Sequence, residues 1–393
     1  MISSPLGFYA FIFICMALVF HYCDKYKDTK LVKAVPGIIW IFLLMAFCAT
    51  FGVFDIKSEG VKTAQGFMYS TFLPMMLIMF MLTCDVRKIA KLGPRMIFAF
   101  FCATFSIMVA FTVAFMLTKS HLPGNAWASV AATTGSFIGE TINMVAVAAV
   151  FGVEGVDFTY SIMMVTFAFT IFLTVIMALI PHKDAWNRRM KASTDELDKI
   201  ARRIDADNEE MDKSPCTFID YMKLFAIALA GTWCINALII PNIPPVTFLN
   251  ATGWRVVLSS ILGLILGVTP IRRFKGAQQV AGVFLYLSLC VTASYSDLAQ
   301  CTAAPMFLVL CLIFLVVVFA LMYLFSKLFR FDLFTAEVAL TANVGGTASA
   351  PLIAAAHNPN WISFGILLAF LGDVVGTWIA ISFGYFLKYL AGA

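Results

Sequence analysis

The sequence predicts an all-α polytopic membrane protein of two inverted-topology repeats, each of about five transmembrane helices plus one re-entrant or broken helix segment. Three observations predict it. Of 393 residues, 61% are hydrophobic and 12% charged, which leaves no material for a large soluble domain. Apolar stretches of the roughly 20 residues needed to cross about 30 Å of hydrocarbon recur from end to end. A glycine- and hydroxyl-rich interruption occurs twice, at corresponding places in the two halves.

Ten stretches qualify as spans, near residues 7–22, 35–53, 65–83, 95–118, 158–181, 217–240, 253–269, 277–295, 303–326 and 361–386. Residues 126–152 and 334–356 are apolar but interrupted. The first stretch lacks a basic leader and a small-residue cleavage site before the polar run from His21 to Lys33, so it reads as a retained helix rather than a signal peptide.

Basic loops tend to stay cytoplasmic. Lys25 to Lys33, Arg87 to Arg95, Lys183 to Lys213, Arg272 to Lys275, and Lys327 with Arg330 are the basic loops here; 54–64, 119–125, 241–252 and 296–302 are poorer in Lys and Arg. With the N-terminus outside, all five fall inside only if 126–152 enters and leaves on one side. If that segment spanned, the eight basic residues of Lys183 to Lys213 would lie outside. Parity therefore favours a hairpin over a spanning broken helix. The first repeat is residues 1–181, the cytoplasmic linker 182–216 and the second, inverted repeat 217–393, a plan common among secondary transporters.

Internal similarity supports the duplication. "LTCDVRKIAKLGPRMIFAF" and "ASYSDLAQCTAAPMFLVL" each follow the third helix of a half, and "GSFIGETINMVAVAAVFG" and "ANVGGTASAPLIAAAHNP" follow at nearly the same distance. Laying Gly139 on Gly345 lays Thr141 on Thr347 and Asn143 on Ser349. In the linker, Ser193 and Glu196 suit a capping box, with Leu197, Ile200 and Ile204 on one face of a short surface helix.

Within hydrocarbon an unpaired N–H or C=O costs several kcal/mol, so irregular backbone survives only where protein covers it or water reaches it. Gly135 to Asn143 and Asn343 to Pro351 are the two places where such backbone is expected. Legs of about 12 residues rise about 18 Å, enough to bring two opposed tips together at the bilayer middle. There, helix N-termini suit an anion and exposed carbonyls suit a cation. Small residues also line close helix contacts in membranes, and Gly263 to Gly267 and Gly372 to Gly376 are read as that alone.

Two carboxylates, Glu140 in the first tip and Asp373 inside the last helix, stand at bilayer depth and suit Na⁺ binding or proton carriage. Asp85 and Asp297 end helices beside loops and read as capping groups. Cys15, Cys48, Cys102, Cys234, Cys290 and Cys311 lie in apolar segments without CxxC spacing and read as packing residues. There is no HExxH, GxSxG, Walker loop or GxGxxG, and His21, His121, His182 and His357 stand at predicted helix ends. Nothing points to an ATPase, a metal hydrolase or a nucleic-acid partner, and no cofactor beyond a coupling ion is expected.

The tips "TGSFIGETIN" and "ANVGGTASA", with "DVRKIAKLGPR" and "FGILLAFLGDVVGT", resemble the membrane family known as domain of unknown function 819 over most of the chain. The resemblance implies an integral protein of a bacterial-type inner membrane. Its inverted halves and polar tips are similar in turn to the sodium/glutamate and citrate symporter class, and more distantly to the bile-acid symporter and sodium/proton antiporter group. The family pattern has a second glycine where Glu140 stands, a proline where Thr347 stands and an aromatic residue near Asp373. These departures indicate a cation-coupled or cationic-substrate variant.

The expected function is ion-coupled secondary transport of a small organic anion or amino acid by a homodimer in the plasma or bacterial inner membrane. Gly139, Gly345 and Gly346 would allow close backbone approach, Ser136, Thr141, Asn143, Asn343, Thr347 and Ser349 would hydrogen-bond the solute, and Glu140 and Asp373 would handle Na⁺ or H⁺. The rivals are a channel with the tips as its filter and an intramembrane enzyme with Glu140 and Asp373 as its acid/base pair.

Overall fold

The computed structural model describes residues 1–29, 37–83, 89–192, 197, 216–243, 251–294, 304–358 and 361–393. Their regular structure is helical, with one isolated bridge between Ile2 and Phe54. In lipid a segment satisfies its backbone only by closing its own hydrogen bonds, and these long apolar runs do so as helices. The first half contains α1 (Pro5–Lys25), α2 (Gly37–Thr50), α3 (Glu59–Leu82), α4 (Pro94–Thr118), the short α5 (Ala126–Phe137) and α6 (Thr141–Phe151), and α7 (Gly155–Leu179). The second contains α8 (Phe218–Cys234), α9 (Ala251–Gly267), α10 (Ala277–Ala293), α11 (Ala304–Phe329), the short α12 (Leu333–Val344) and α13 (Gly346–His357), and α14 (Ile362–Ala391).

Local chemistry places the ends. Ser4, Ser58 and Asp332 accept hydrogen bonds from Gly7, Val61 and Thr335 N–H groups at the starts of α1, α3 and α12. Pro5 and Pro94 occupy first turns, where a missing N–H costs nothing. Among the described residues, seven helices are long and apolar enough to cross a membrane, whereas α2, α9 and α10, expected to qualify outright, are shorter.

The start of the expected linker is helical. α7 runs on through a 3-10 turn and a further helix, Lys183–Met190. Trp186 Nε1 donates to Phe331 O at 3.3 Å, and Asn187 Oδ1 accepts from Leu333 N at 3.0 Å, so this extension is tied to the second polar segment. Leu197 is buried. Ser193, Glu196, Ile200, Ile204, Asp85 and Asp297 lie outside the described residues.

Both interrupted segments are re-entrant hairpins. Trp127 near the start of α5 and Phe151 at the end of α6 meet edge-on with ring centroids 5.3 Å apart. A Cβ at Gly135 would stand 3.1 Å from Val147 Cγ2, so the legs run back along each other. In the second hairpin Phe334 and His357, near opposite ends of its sequence, are 5.6 Å apart. The hairpins enter from opposite faces. Arg95, at the start of α4, lies 3.7 Å from Asp332 at the base of the second hairpin. Lys119, just past the other end of α4, donates to Leu390 O at 3.0 Å, and Asn125 beside it bonds Asp157 at the base of the first. The 25 residues of α4 separate these bases by about 37 Å.

The helices sort into two packed groups. One joins α1, α2, α3, α8, α9 and α10, the first three helices of each half. The other joins both hairpins with α4, α7, α11 and α14. Gly263 makes the first group possible, because a Cβ there would meet Met81 Cβ at 2.6 Å and Ile78 O at 2.7 Å. Gly263→Val therefore costs about 1–3 kcal/mol and lowers the melting temperature of the purified protein. Gly282→Ala, where an added Cβ would meet nothing within 4 Å beyond its own stretch of helix backbone, leaves it unchanged or raises it.

Candidate functional site

Each hairpin breaks for a local reason. α5 stops at Phe137, and Glu140 takes an extended backbone, φ −135° and ψ −179°, as the residue that begins α6. The second break is tighter. Gly345 lies between α12 and α13, and Gly346 has φ 53°, a left-handed conformation that glycine enters without steric penalty. Glu140 covers Gly346 so closely that a Cβ there would collide with its side chain.

The two tips touch. Gly139 N–H donates to Asn343 O at 3.0 Å. Glu140 Oε1 accepts from Thr347 N–H at 2.5 Å and from the Thr347 hydroxyl. A carboxylate from the first hairpin thus sits on the N-terminus of α13, where free N–H groups and the helix dipole favour negative charge. The sequence reading offered that position to a solute; here the chain's own acid holds it.

Each tip is also pinned to a long helix through an asparagine. Asn343 Oδ1 accepts from Thr104 Oγ1 of α4 at 2.8 Å, while its Nδ2 donates to Phe100 O at 3.3 Å and Ala339 O at 2.9 Å. Asn143 Oδ1 accepts from Thr377 Oγ1 of α14 at 2.8 Å, and its Nδ2 lies 3.5 Å from Gly372 O and Asp373 O. Both asparagines are fully buried. Both amide oxygens are taken by threonine hydroxyls of the long helices. Ser136 and Ser349 are buried beside the breaks, and Thr141 and Thr347 are half-buried. Phe137 is backed by Phe111 and Phe314, with centroids 5.7 and 5.3 Å away.

Asp373 is fully buried on α14, and neither of its carboxylate oxygens has a partner among the described residues. Its neighbour Gly372 packs on Gly139, the residue before Glu140: a Cβ at Gly372 would stand 3.5 Å from Gly139 Cα. The glycines around it, read as simple helix contacts, pack against the site itself: a Cβ at Gly372 would stand 3.2 Å from Ala342 O, and one at Gly376 would meet Asn143 Nδ2 at 2.5 Å. Two nearby carboxylates among tip carbonyls suit a proton or a small monovalent cation. Among the described residues no three His, Cys, Asp or Glu side chains gather as a metal cluster.

One buried pair escaped the sequence reading. His357 Nε2 lies 2.6 Å from Glu337 Oε2, and both side chains are 2% exposed. Glu337 is legible in the sequence as a carboxylate inside an apolar membrane run; His357 carries no such signal, because it ends a helix. A groove of about 430 Å³ between α4 and α14, lined by Phe105, Met108, Thr112, Ser382 and Phe386, opens outward and excludes the tips.

Opposed hairpins meeting inside inverted halves define a polytopic integral membrane protein with its polar centre at the crossing of the two repeats. The chain belongs to the family described as "Protein of unknown function (DUF819)", whose profile matches residues 10–390 and so takes in both hairpins. It is also similar to the uncharacterized membrane protein YjcL of Bacillus subtilis (strain 168), at 24% identity over 379 residues, covering 91% of this chain and 92% of that protein.

Removing either hydroxyl that holds an asparagine strands a buried amide oxygen. Thr104→Val and Thr377→Val are each expected to cost about 1–3 kcal/mol, read as a lower melting temperature. The double variant Thr104→Val, Asn343→Leu recovers part of that loss.

Proposed function

We propose that this protein is a secondary active transporter of a small carboxylate-bearing solute, an organic anion or amino acid, coupled to Na⁺ or H⁺. The observation that carries the reading is the carboxylate of Glu140 on the N-terminus of α13, between two inverted halves. That place recognises a carboxylate, and its present occupant is tethered and replaceable. In this reading an incoming solute displaces Glu140 from Thr347 and takes the same N–H and hydroxyl donors. Gly139, Gly345 and Gly346 admit it close to backbone; Ser136, Thr141 and Ser349 supply further hydroxyls. Asn143 and Asn343 keep the tips in register and do not touch the solute. The displaced Glu140 and the unpaired Asp373 then share the coupling ion.

Alternating access follows if the group holding both hairpins moves against the group built from the first three helices of each half, which a homodimer would hold still. The basic loops orient the chain with its N-terminus outside and the 182–216 linker in the cytoplasm, in a plasma or bacterial inner membrane.

The test is a thermal-shift screen of the purified protein against carboxylates and amino acids, with and without Na⁺ and across pH, followed by counterflow in proteoliposomes. A solute at about 100 times its Kd adds about 2.7 kcal/mol to apparent stability. Gly346→Leu, which crowds the Glu140 side chain and strains a left-handed backbone, is expected to lower the melting temperature and to abolish both that shift and saturable counterflow; wild-type counterflow in this variant rules out the tip site. Unsaturable single-channel currents would instead establish a channel.

A further inference from the structure

We propose that the buried Glu337–His357 pair is a proton-binding site, and that a proton taken up there passes by way of Thr341 to Asp373. The second half of this route rests on the ion-site reading of Asp373; the first half stands without it.

The pair sits near the base of the second hairpin. His357 is the last residue of α13 and Glu337 lies in the second turn of α12. Their 2.6 Å contact is closed off from water, with each side chain 2% exposed and Phe334 packed against both the His357 ring and Trp361. A buried ion pair kept for structure alone has its remaining oxygens hydrogen-bonded. Glu337 Oε1 has no partner among the described residues. One turn closer to the tip, on the same face of α12, Thr341 Oγ1 is buried and equally unpartnered. Beside it, α14 brings Gly372 against Ala342 O, which sets Asp373 and its two unpartnered oxygens at the next level. Proton-exchanging groups thus succeed one another from the hairpin base to the tips, and none of these oxygens has a hydrogen-bond partner among the described residues.

The chemistry needs only O–H and N–H bonds. At rest imidazole and carboxyl share a proton; a second proton gives an imidazolium beside a carboxylic acid. Glu337 Oε1–H then donates to Thr341 Oγ1, and the threonine's own proton goes to Asp373, leaving Glu337 ionised against His357. A hydroxyl serves because it donates and accepts at once, and the route requires a rotamer change or one bridging water at each step. The other charged groups on elements packed against α12 are accounted for. Arg95 of α4 is engaged by Asp332 and Arg330 O, and Glu140 by Thr347. Lys183, Asp184, Arg188 and Arg189 lie on the extension of α7, at the hairpin base, while Asp157 of α7 and Lys388 of α14 stand at the far face.

The experiment is infrared difference spectroscopy of the full chain in lipid nanodiscs after a pH jump, with proton uptake followed by a soluble dye and no solute added. A pH-dependent carboxyl band that is lost in E337Q, and whose midpoint moves by about one pH unit or more in H357Q, is the expected result. A second band, lost in D373N, rises at least about tenfold more slowly in T341V while the Glu337 band is unchanged. Should E337Q fail to fold, E337Q/H357Q replaces the pair with two amides able to bond each other. Equal proton uptake by wild type and this folded double variant overturns the binding site. An Asp373 band rising at the wild-type rate in T341V overturns the relay. Neither result depends on finding a transported solute, so failure here is distinct from failure of the transporter reading.

Discussion

Two helices that stop in the middle of a membrane leave N–H and C=O groups where no lipid can satisfy them, each at a cost of several kcal/mol. The structure resolves this by making each tip the partner of the other: Gly139 N–H meets Asn343 O, and the Glu140 carboxylate meets the first turn of α13. Neither hairpin is satisfied in this way alone. The inverted arrangement of the halves follows, because only hairpins entering from opposite faces bring their tips together end to end.

That meeting needs a helix both hairpins can approach closely, and α14 is that helix. Gly365, Gly372 and Gly376, spaced by seven and four residues, lie on one face of it. Without their side chains, Ala350 O and Pro351 N of the second hairpin and Ile138 and Asn143 of the first come against the helix backbone. Dispersion contacts at this distance replace the hydrophobic drive that helix association lacks in lipid. Asp373 is fully buried beside these contacts, with neither carboxylate oxygen partnered among the described residues.

Much of this was legible in residue order. Loop charge favoured a hairpin at 126–152, and the rings of Trp127 and Phe151, at the two ends of that segment, meet. The register of Gly139 on Gly345 located both breaks. Other readings changed in the structure. Asn143 and Asn343 looked like solute contacts because an amide at bilayer depth needs a partner; the partners are threonines on α4 and α14, remote in sequence. Gly372 and Gly376 looked like ordinary packing because a small-residue spacing is the same whatever it packs against. The polar residues after 182 looked like the start of a linker, yet their first turns continue α7 because Trp186 and Asn187 bond to the second hairpin.

By itself the sequence determined which stretches form apolar helices and where two of them break, since hydrophobic length and glycine content act over neighbouring residues. Only the tertiary structure decided that Glu140 would cap a helix 207 positions away, that Glu337 would pair with His357 across a hairpin, and that Asp373 would have no hydrogen-bond partner among the described residues. Those outcomes depend on which side chains the folded halves bring within about 3 Å of one another, a distance set by how whole helices pack and carried by no local pattern.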